Sequence, residues 1–184
     1  MTTRFILHGG FNPNMEKQEN DLFFSEMLSI APEHSTILLV YFAKETEKWN
    51  RYKQDDVEQF ERNKDGRDLD FIVADKNIFK EQIKAADIIY FRGGKTISML
   101  EALKEFPNLG ELLRGKTVGA DSAGTNALSS VFFSSSLGIK EGMGVVPVKV
   151  ICHGTEENKN KLNKVRSDLE TVFLREYQFK IFEF

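Results

Sequence analysis

The pentapeptide Ala120-Asp121-Ser122-Ala123-Gly124 joins a β-rich run, Lys116-Thr117-Val118-Gly119-Ala120, to Ala123-Gly124-Thr125-Asn126-Ala127-Leu128, which reads as the first turns of a helix. A serine on such a strand-turn-helix join stands on a sharp turn. The turn needs small residues two before and two after the serine, because larger side chains would meet the crowded backbone. Ala120 and Gly124 satisfy that requirement. The chemistry this arrangement suits is attack on a carbonyl, with the backbone N–H of Ala123 as a natural donor to the oxyanion that forms. Without a base, a serine ahead of a helix is simply an N-cap, and small-x-Ser-x-Gly is short enough to occur by chance.

Phe91-Arg92-Gly93-Gly94-Lys95-Thr96 is a second glycine turn between a predicted strand and a predicted helix. Two such turns at the carboxyl ends of neighbouring strands frame one crevice, the usual ligand site of an open α/β sheet. Gly93 and Gly94 are therefore expected to supply a second oxyanion N–H. The spacing is neither that of a GxxxxGK[ST] phosphate loop nor that of a dinucleotide fingerprint. A serine also needs a base, and His8, His34 and His153 are the only histidines. His153 follows the apolar run 145–152 and precedes Gly154, where a loop leaves the sheet, and it is the expected base. His8 also ends a strand, before Gly9-Gly10, and stands second. His34 lies in the polar loop Pro32-Glu33-His34-Ser35 and is expected in solvent. Cys152 falls inside a strand, where a lone cysteine is usually a small buried hydrophobe, so it is not taken as the nucleophile.

The elements that must position these residues alternate. Runs 4–8, 36–42, 70–74, 87–91, 116–120 and 145–152 are β-rich, several of them almost continuously apolar, as strands covered on both faces by crossover helices read. Between them lie helical stripes such as Trp49, Tyr52, Val57 and Phe60 within 45–63, and Ile97, Leu100 and Leu103 after Thr96. This βαβα alternation predicts a three-layer α/β/α fold with a mostly parallel, doubly wound sheet. Two β-rich pieces, 171–175 and 179–184, are separated by Glu176-Tyr177-Gln178 and read as a hairpin or edge strands. Ser134-Ser135-Ser136 reads as a loose loop, and 156–164 as a helix with a solvated face.

The 184 residues fit one domain spanning 1–184. A net charge of −3 leaves no electrostatic footprint for nucleic acid. No apolar run approaches a membrane span, and the start lacks the pattern of a signal peptide, so a cytoplasmic protein without a membrane partner is expected. One cysteine, and three histidines without ligand spacing, imply no metal.

In this order, Gly93-Gly94-Lys95-Thr96, Asp121-Ser122-Ala123-Gly124 and Glu141-Gly142-Met143-Gly144-Val145-Val146-Pro147 leading to His153 resemble the peptidase E family of serine peptidases, related to aspartyl dipeptidases and cyanophycinases. Phe5-Ile6-Leu7-His8-Gly9-Gly10 resembles the family's opening strand and glycine turn, so the likeness spans roughly the whole chain. The resemblance implies a class I glutamine amidotransferase-like fold in which Ser122 replaces the amidotransferase cysteine. It implies a serine-type peptidase acting on small peptides without a cofactor, with Ser122 as nucleophile and His153 as base. Family members often prefer an acidic residue on the acyl side, which Arg92 or Lys95 could meet. For the acid behind the histidine, Glu141, the only acid between Ser122 and His153, is placed ahead of Glu156.

The chain departs from the family pattern at Ala120, usually Gly, and at Lys95, usually Asn. Asp121 either points away from the nucleophile or meets a substrate ammonium group. Two other functions stay open: a catalytically silent amidotransferase-like domain that binds a ligand or partner, and another serine hydrolase, an esterase or a cyanophycinase-like enzyme. Side-chain preference and oligomeric state, a homodimer included, are left open as well.

Overall fold

The strands run in chain order as β1 (Arg4–His8), β2 (His34–Val40), β3 (Asp68–Val73), β4 (Ile88–Phe91), β5 (Thr117–Asp121), β6 (Ser129–Ser134), β7 (Gly138–Glu141), β8 (Val146–Cys152), β9 (Glu170–Leu174) and β10 (Phe179–Glu183). The α-helices are α1 (Asp21–Leu28), α2 (Trp49–Asn63), α3 (Phe79–Ala85), α4 (Thr96–Leu103), α5 (Leu109–Leu112), α6 (Ala123–Leu128) and α7 (Glu156–Asn163). These elements come from a computed structural model that describes residues 2–11, 17–153 and 155–184, with only the backbone of Lys17 and Glu19, so Gly154 lies outside it.

Six strands form one sheet in the order β10-β1-β5-β4-β2-β3, all parallel except β10, which runs antiparallel to β1. Alternate residues sort onto two faces, as the pleat requires. Ile6, Ile37, Leu39, Ile88 and Tyr90 pack with Phe23, Phe24 and Met27 of α1 and Phe60 of α2. Phe5, Leu7, Leu38, Val40, Ile89, Phe91 and Val118 pack on the other face with Phe79 and Ile83 of α3 and Met99 and Leu103 of α4. Helices therefore cover both faces, and the α/β architecture with a mostly parallel sheet is the expected one.

The strands after the elbow form a second sheet, β7-β6-β8-β9, rather than extending the first. Here β6, β8 and β9 are parallel and β7 is antiparallel to β6. Phe132, Val146, Val148, Val150, Val172 and Leu174 join the same apolar cluster as Phe5 and Leu7, so one core binds the two sheets. The serine run 134–136 leads from β6 into the turn before β7. The two C-terminal strands do not pair as a hairpin. β9 edges the small sheet and β10 edges the large one, so the turn between them crosses from one sheet to the other above the carboxyl ends of the parallel strands. Among the described residues no helix is long and apolar enough to cross a membrane.

Candidate active site

The turn between β5 and α6 is held in a conformation that an L-residue adopts only under constraint. Ser122 has φ 42° and ψ −99°, a region costing about 1–3 kcal/mol that persists only where the surroundings enforce it. The enforcement is visible. Ser122 N–H donates to the His8 carbonyl at 3.0 Å, and Thr125 Oγ1 lies 2.8 Å from both the His8 and the Ala120 carbonyls. Gly124 must lack a side chain, since a Cβ there would lie 2.3 Å from the Phe91 carbonyl oxygen of β4. Ala120 is fully buried beneath the turn. The small residues flanking the serine are thus demanded by packing, as the motif requires.

The base arrives from the other sheet. β8 ends at Cys152, and His153 turns out of the strand with φ 56° while its N–H donates to the Leu174 carbonyl of β9 at 3.2 Å. Gly10, at φ 104°, provides the space where the imidazole meets the serine. A Cβ at Gly10 would sit 2.5 Å from His153 Nε2 and 3.1 Å from Ser122 Cβ, two distances that together cap the Nε2 to Cβ separation at 5.6 Å. Nε2 therefore lies on the Gly10 side of the ring, no more than 5.6 Å from Ser122 Cβ. The other ring nitrogen, Nδ1, lies 3.6 Å from Glu176 Oε1, ion-pair range but longer than a hydrogen bond. Glu176 stands in the turn between β9 and β10, which is fastened to the loop after β1 by Gly9 N–H to Gln178 O and Tyr177 N–H to Gly10 O, both 2.9 Å.

Glu141, the acid expected from the sequence, is elsewhere. It pairs with Val131 on β6, which pairs with Lys149 on β8. Glu141 is therefore level with a residue four short of His153 and two strands away, roughly 13 Å along the sheet and 10 Å across it. Glu156 faces Lys159 at the start of α7. Among the described residues Glu176 is the carboxylate within ion-pair distance of His153, and it lies 23 residues beyond it. It lies outside the stretch from Ser122 to Glu156 in which the acid was expected. The signal was the turn Glu176-Tyr177-Gln178, because a residue following the strand parallel to the histidine's own strand emerges at the same sheet edge.

His8 is buried and stacked on Phe23 at 4.5 Å, its Nδ1 accepts the Gly10 N–H at 3.1 Å, and burial pushes its pKa down to about 4. It is a neutral packing and turn-bracing residue. His34 is exposed beside Asp68. Cys152 is buried under the elbow with its thiol pushed far up by burial, as a structural cysteine should be. Lys95 points outward to Glu45 at 2.9 Å and leaves the crevice without its charge.

A cavity of about 620 Å³ opens beside Ser122 and His153, floored by Phe24, Tyr90 and Asp121 and walled by Gly93, Gly94 and the first turns of α2. Arg92 lines it with part of its guanidinium already engaged, while its Nε is buried without a hydrogen-bond partner among the described residues. Its guanidinium donates to Asp56 Oδ1 at 2.6 Å and to the Tyr52 carbonyl at 2.9 Å, and it lies 4.7 Å from the Tyr52 ring centre. Asp56 is fully buried and also accepts from Tyr41 at 2.9 Å. Burial raises its carboxyl to about 6 against the pull of Arg92. No group of three or more His, Cys, Asp or Glu placed to hold a metal occurs among the described residues.

A serine on a strained elbow, an imidazole near it from a second strand end and a carboxylate behind that imidazole are the parts of a covalent hydrolase site. The family model of peptidase family S51 matches residues 5–175, nearly the whole chain. The chain belongs to peptidase family S51. By that membership it is a serine-type peptidase. Among solved structures it resembles a peptidase from an acI-B1 actinobacterium, with a TM-score of 0.72 at 20% identity over 99% of this chain and 84% of that one. It also resembles a putative peptidase E protein from Listeria monocytogenes EGD-e, with a TM-score of 0.68 at 15% identity over 100% and 98% of the two chains. At such identities these likenesses speak for the fold, the class I glutamine amidotransferase-like one. No curated protein matches the sequence.

Proposed function

We propose that this S51 member hydrolyses small peptides through an acyl-enzyme on Ser122, with His153 as general base and acid and Glu176 orienting the imidazole. The observation that carries the reading is the convergence at Gly10: only a missing side chain there leaves room for His153 Nε2 beside Ser122. In the first half-reaction Ser122 Oγ attacks the scissile carbonyl and His153 Nε2 takes its proton. Glu176, beside Nδ1, favours the tautomer with Nε2 free to accept and stabilises the imidazolium that results. The backbone N–H groups of Ala123 and of the Gly93-Gly94 turn, which borders the same cavity, stabilise the oxyanion. His153 then returns the proton to the leaving amine, water attacks the ester, and the acid is released.

The cavity's size and its position at the end of the sheet suit a short peptide. Incubation with a mixed library of di- and tripeptides, read by mass spectrometry, tests the reading. Hydrolysis that disappears in Ser122→Ala supports it; a library left intact by the folded wild-type protein overturns it.

A further inference from the structure

His8 ends β1 and pairs with Asp121 at the end of β5, one residue before the nucleophile. It holds the site at two points. Its carbonyl accepts the Ser122 N–H at 3.0 Å and the Thr125 hydroxyl at 2.8 Å, which fixes the elbow. Its Nδ1 accepts the Gly10 N–H at 3.1 Å, which fixes the residue whose missing side chain makes room for His153. Gly10 in turn accepts the Tyr177 N–H at 2.9 Å through its carbonyl, and so anchors the turn that carries Glu176. All three groups of the site are thus registered on one segment, His8-Gly9-Gly10.

The carbonyl contacts belong to the backbone and do not need a histidine; the Nδ1 contact does need its side chain. An imidazole that accepts at Nδ1 carries its neutral-form proton on Nε2. Here Nε2 is buried and has no hydrogen-bond partner among the described residues, a costly arrangement. Stacking on Phe23 does not account for it, because a phenylalanine ring would stack there with no orphaned N–H. What the histidine adds over such a ring is the acceptor for Gly10. With its pKa pushed down to about 4 by burial, the ring is neutral at pH 7 and the acceptor is present.

We infer that His8 is a positioning residue for the hydrolysis: through Nδ1 it sets the Gly10 backbone, and with it the placement of His153 beside Ser122. Without that bond Gly10, at φ 104°, is free to turn its N–H elsewhere. A shift of about 1 Å in the residue packed on the imidazole is enough to cost about 100-fold in rate. The loss falls on the chemical step, because His8 acts through Gly10 and not on the bound peptide. The inference rests on the peptidase reading above and adds to it the side chain that keeps the site in register.

The test sets three variants against wild type. His8→Phe and His8→Leu remove the acceptor and keep an apolar side chain against Phe23. His8→Asn keeps the acceptor, since Asn Oδ1, like His Nδ1, is one bond beyond Cγ and commonly receives the N–H two residues on; what it loses is the ring. Thermal melts, hydrolysis of the peptide that wild type cleaves fastest and fluorophosphonate labelling of Ser122 are read on each. His8→Phe and His8→Leu should fall about tenfold to hundredfold in kcat and in labelling rate, with KM within about threefold of wild type. His8→Asn should keep both rates within about threefold of wild type while melting lowest, because it leaves a cavity beside Phe23. Activity and stability then rank in opposite order, which a merely structural histidine would not produce. A folded His8→Phe or His8→Leu protein with wild-type kcat, or His8→Asn as slow as those two, overturns the positioning role and leaves the peptidase reading standing. Wild type that neither labels nor hydrolyses overturns both.

Discussion

Gly10→Ala is the most informative single change because its two effects can be separated. At φ 104° the new methyl strains the backbone, a cost of about 1–3 kcal/mol, which for a chain of this size lowers Tm by about 2–4 °C per kcal/mol. The second effect falls on the site. The methyl carbon would lie 2.5 Å from His153 Nε2 and 2.8 Å from Cε1. Ordinary contact begins near 3.5 Å, so the ring must retreat by about 1 Å. A misplacement of that size in a catalytic group costs about 100-fold in rate. Gly66→Ala supplies the control: its φ is 79°, but a Cβ there meets nothing within 4 Å. Thermal melts followed by circular dichroism should show both variants destabilised to a similar degree. Peptide hydrolysis should fall about 100-fold in Gly10→Ala alone. A folded Gly10→Ala protein with the activity of Gly66→Ala would refute the placement of His153 beside Ser122.

Further outcomes follow from the same geometry. Glu176→Gln should lower kcat by about tenfold to hundredfold, less than for a fully buried triad acid because Glu176 is half-exposed and its charge is screened, while Glu141→Gln and Glu156→Gln keep wild-type rates in the same assay. Lys149, buried on β8, has its Nζ 2.7 Å from the Val165 carbonyl and 3.3 Å from that of Leu162, closing the end of α7. Lys149→Met orphans those carbonyls and should cost about 2 kcal/mol, seen as a Tm lower by about 4–8 °C. His8 is held neutral in the fold, its pKa lowered from 6.5 to about 4, whereas the unfolded chain takes up a proton below 6.5. Its contribution is complete above pH 6.5, declines as pH falls towards 4 and is constant below, about 3 kcal/mol in all. Asp56, raised to about 6, has the opposite slope over much of that window, so the readout is the difference between wild type and His8→Gln in unfolding free energy against pH. Equal slopes would contradict the buried neutral His8.

The parallel sheet was legible because its strands are written as apolar runs punctuated by turn residues, and β1, β4, β5 and β8 fall within a residue or so of their expected bounds. The elbow was legible for a stronger reason: the small residues at 120 and 124 are dictated by local sterics, which sequence records directly. The missed features were those that depend on partners distant in the chain. β6 and β7 are short and half-polar, and they become strands because β8 lies beside β6. Glu176 comes within 3.6 Å of His153 through a turn that passes from one sheet to the other, a long-range relation. The pairing of Arg92 with Asp56 had no local signature, because Asp56 sits on a helix 36 residues earlier.

Covalent labelling with a fluorophosphonate tests most directly whether Ser122 is a nucleophile activated by His153. Intact-mass and peptide mapping should find one adduct per chain, on Ser122, formed at least tenfold more slowly in a folded His153→Ala variant and absent in Ser122→Ala. An adduct on another residue, or labelling of wild type and His153→Ala at the same rate, would contradict the account.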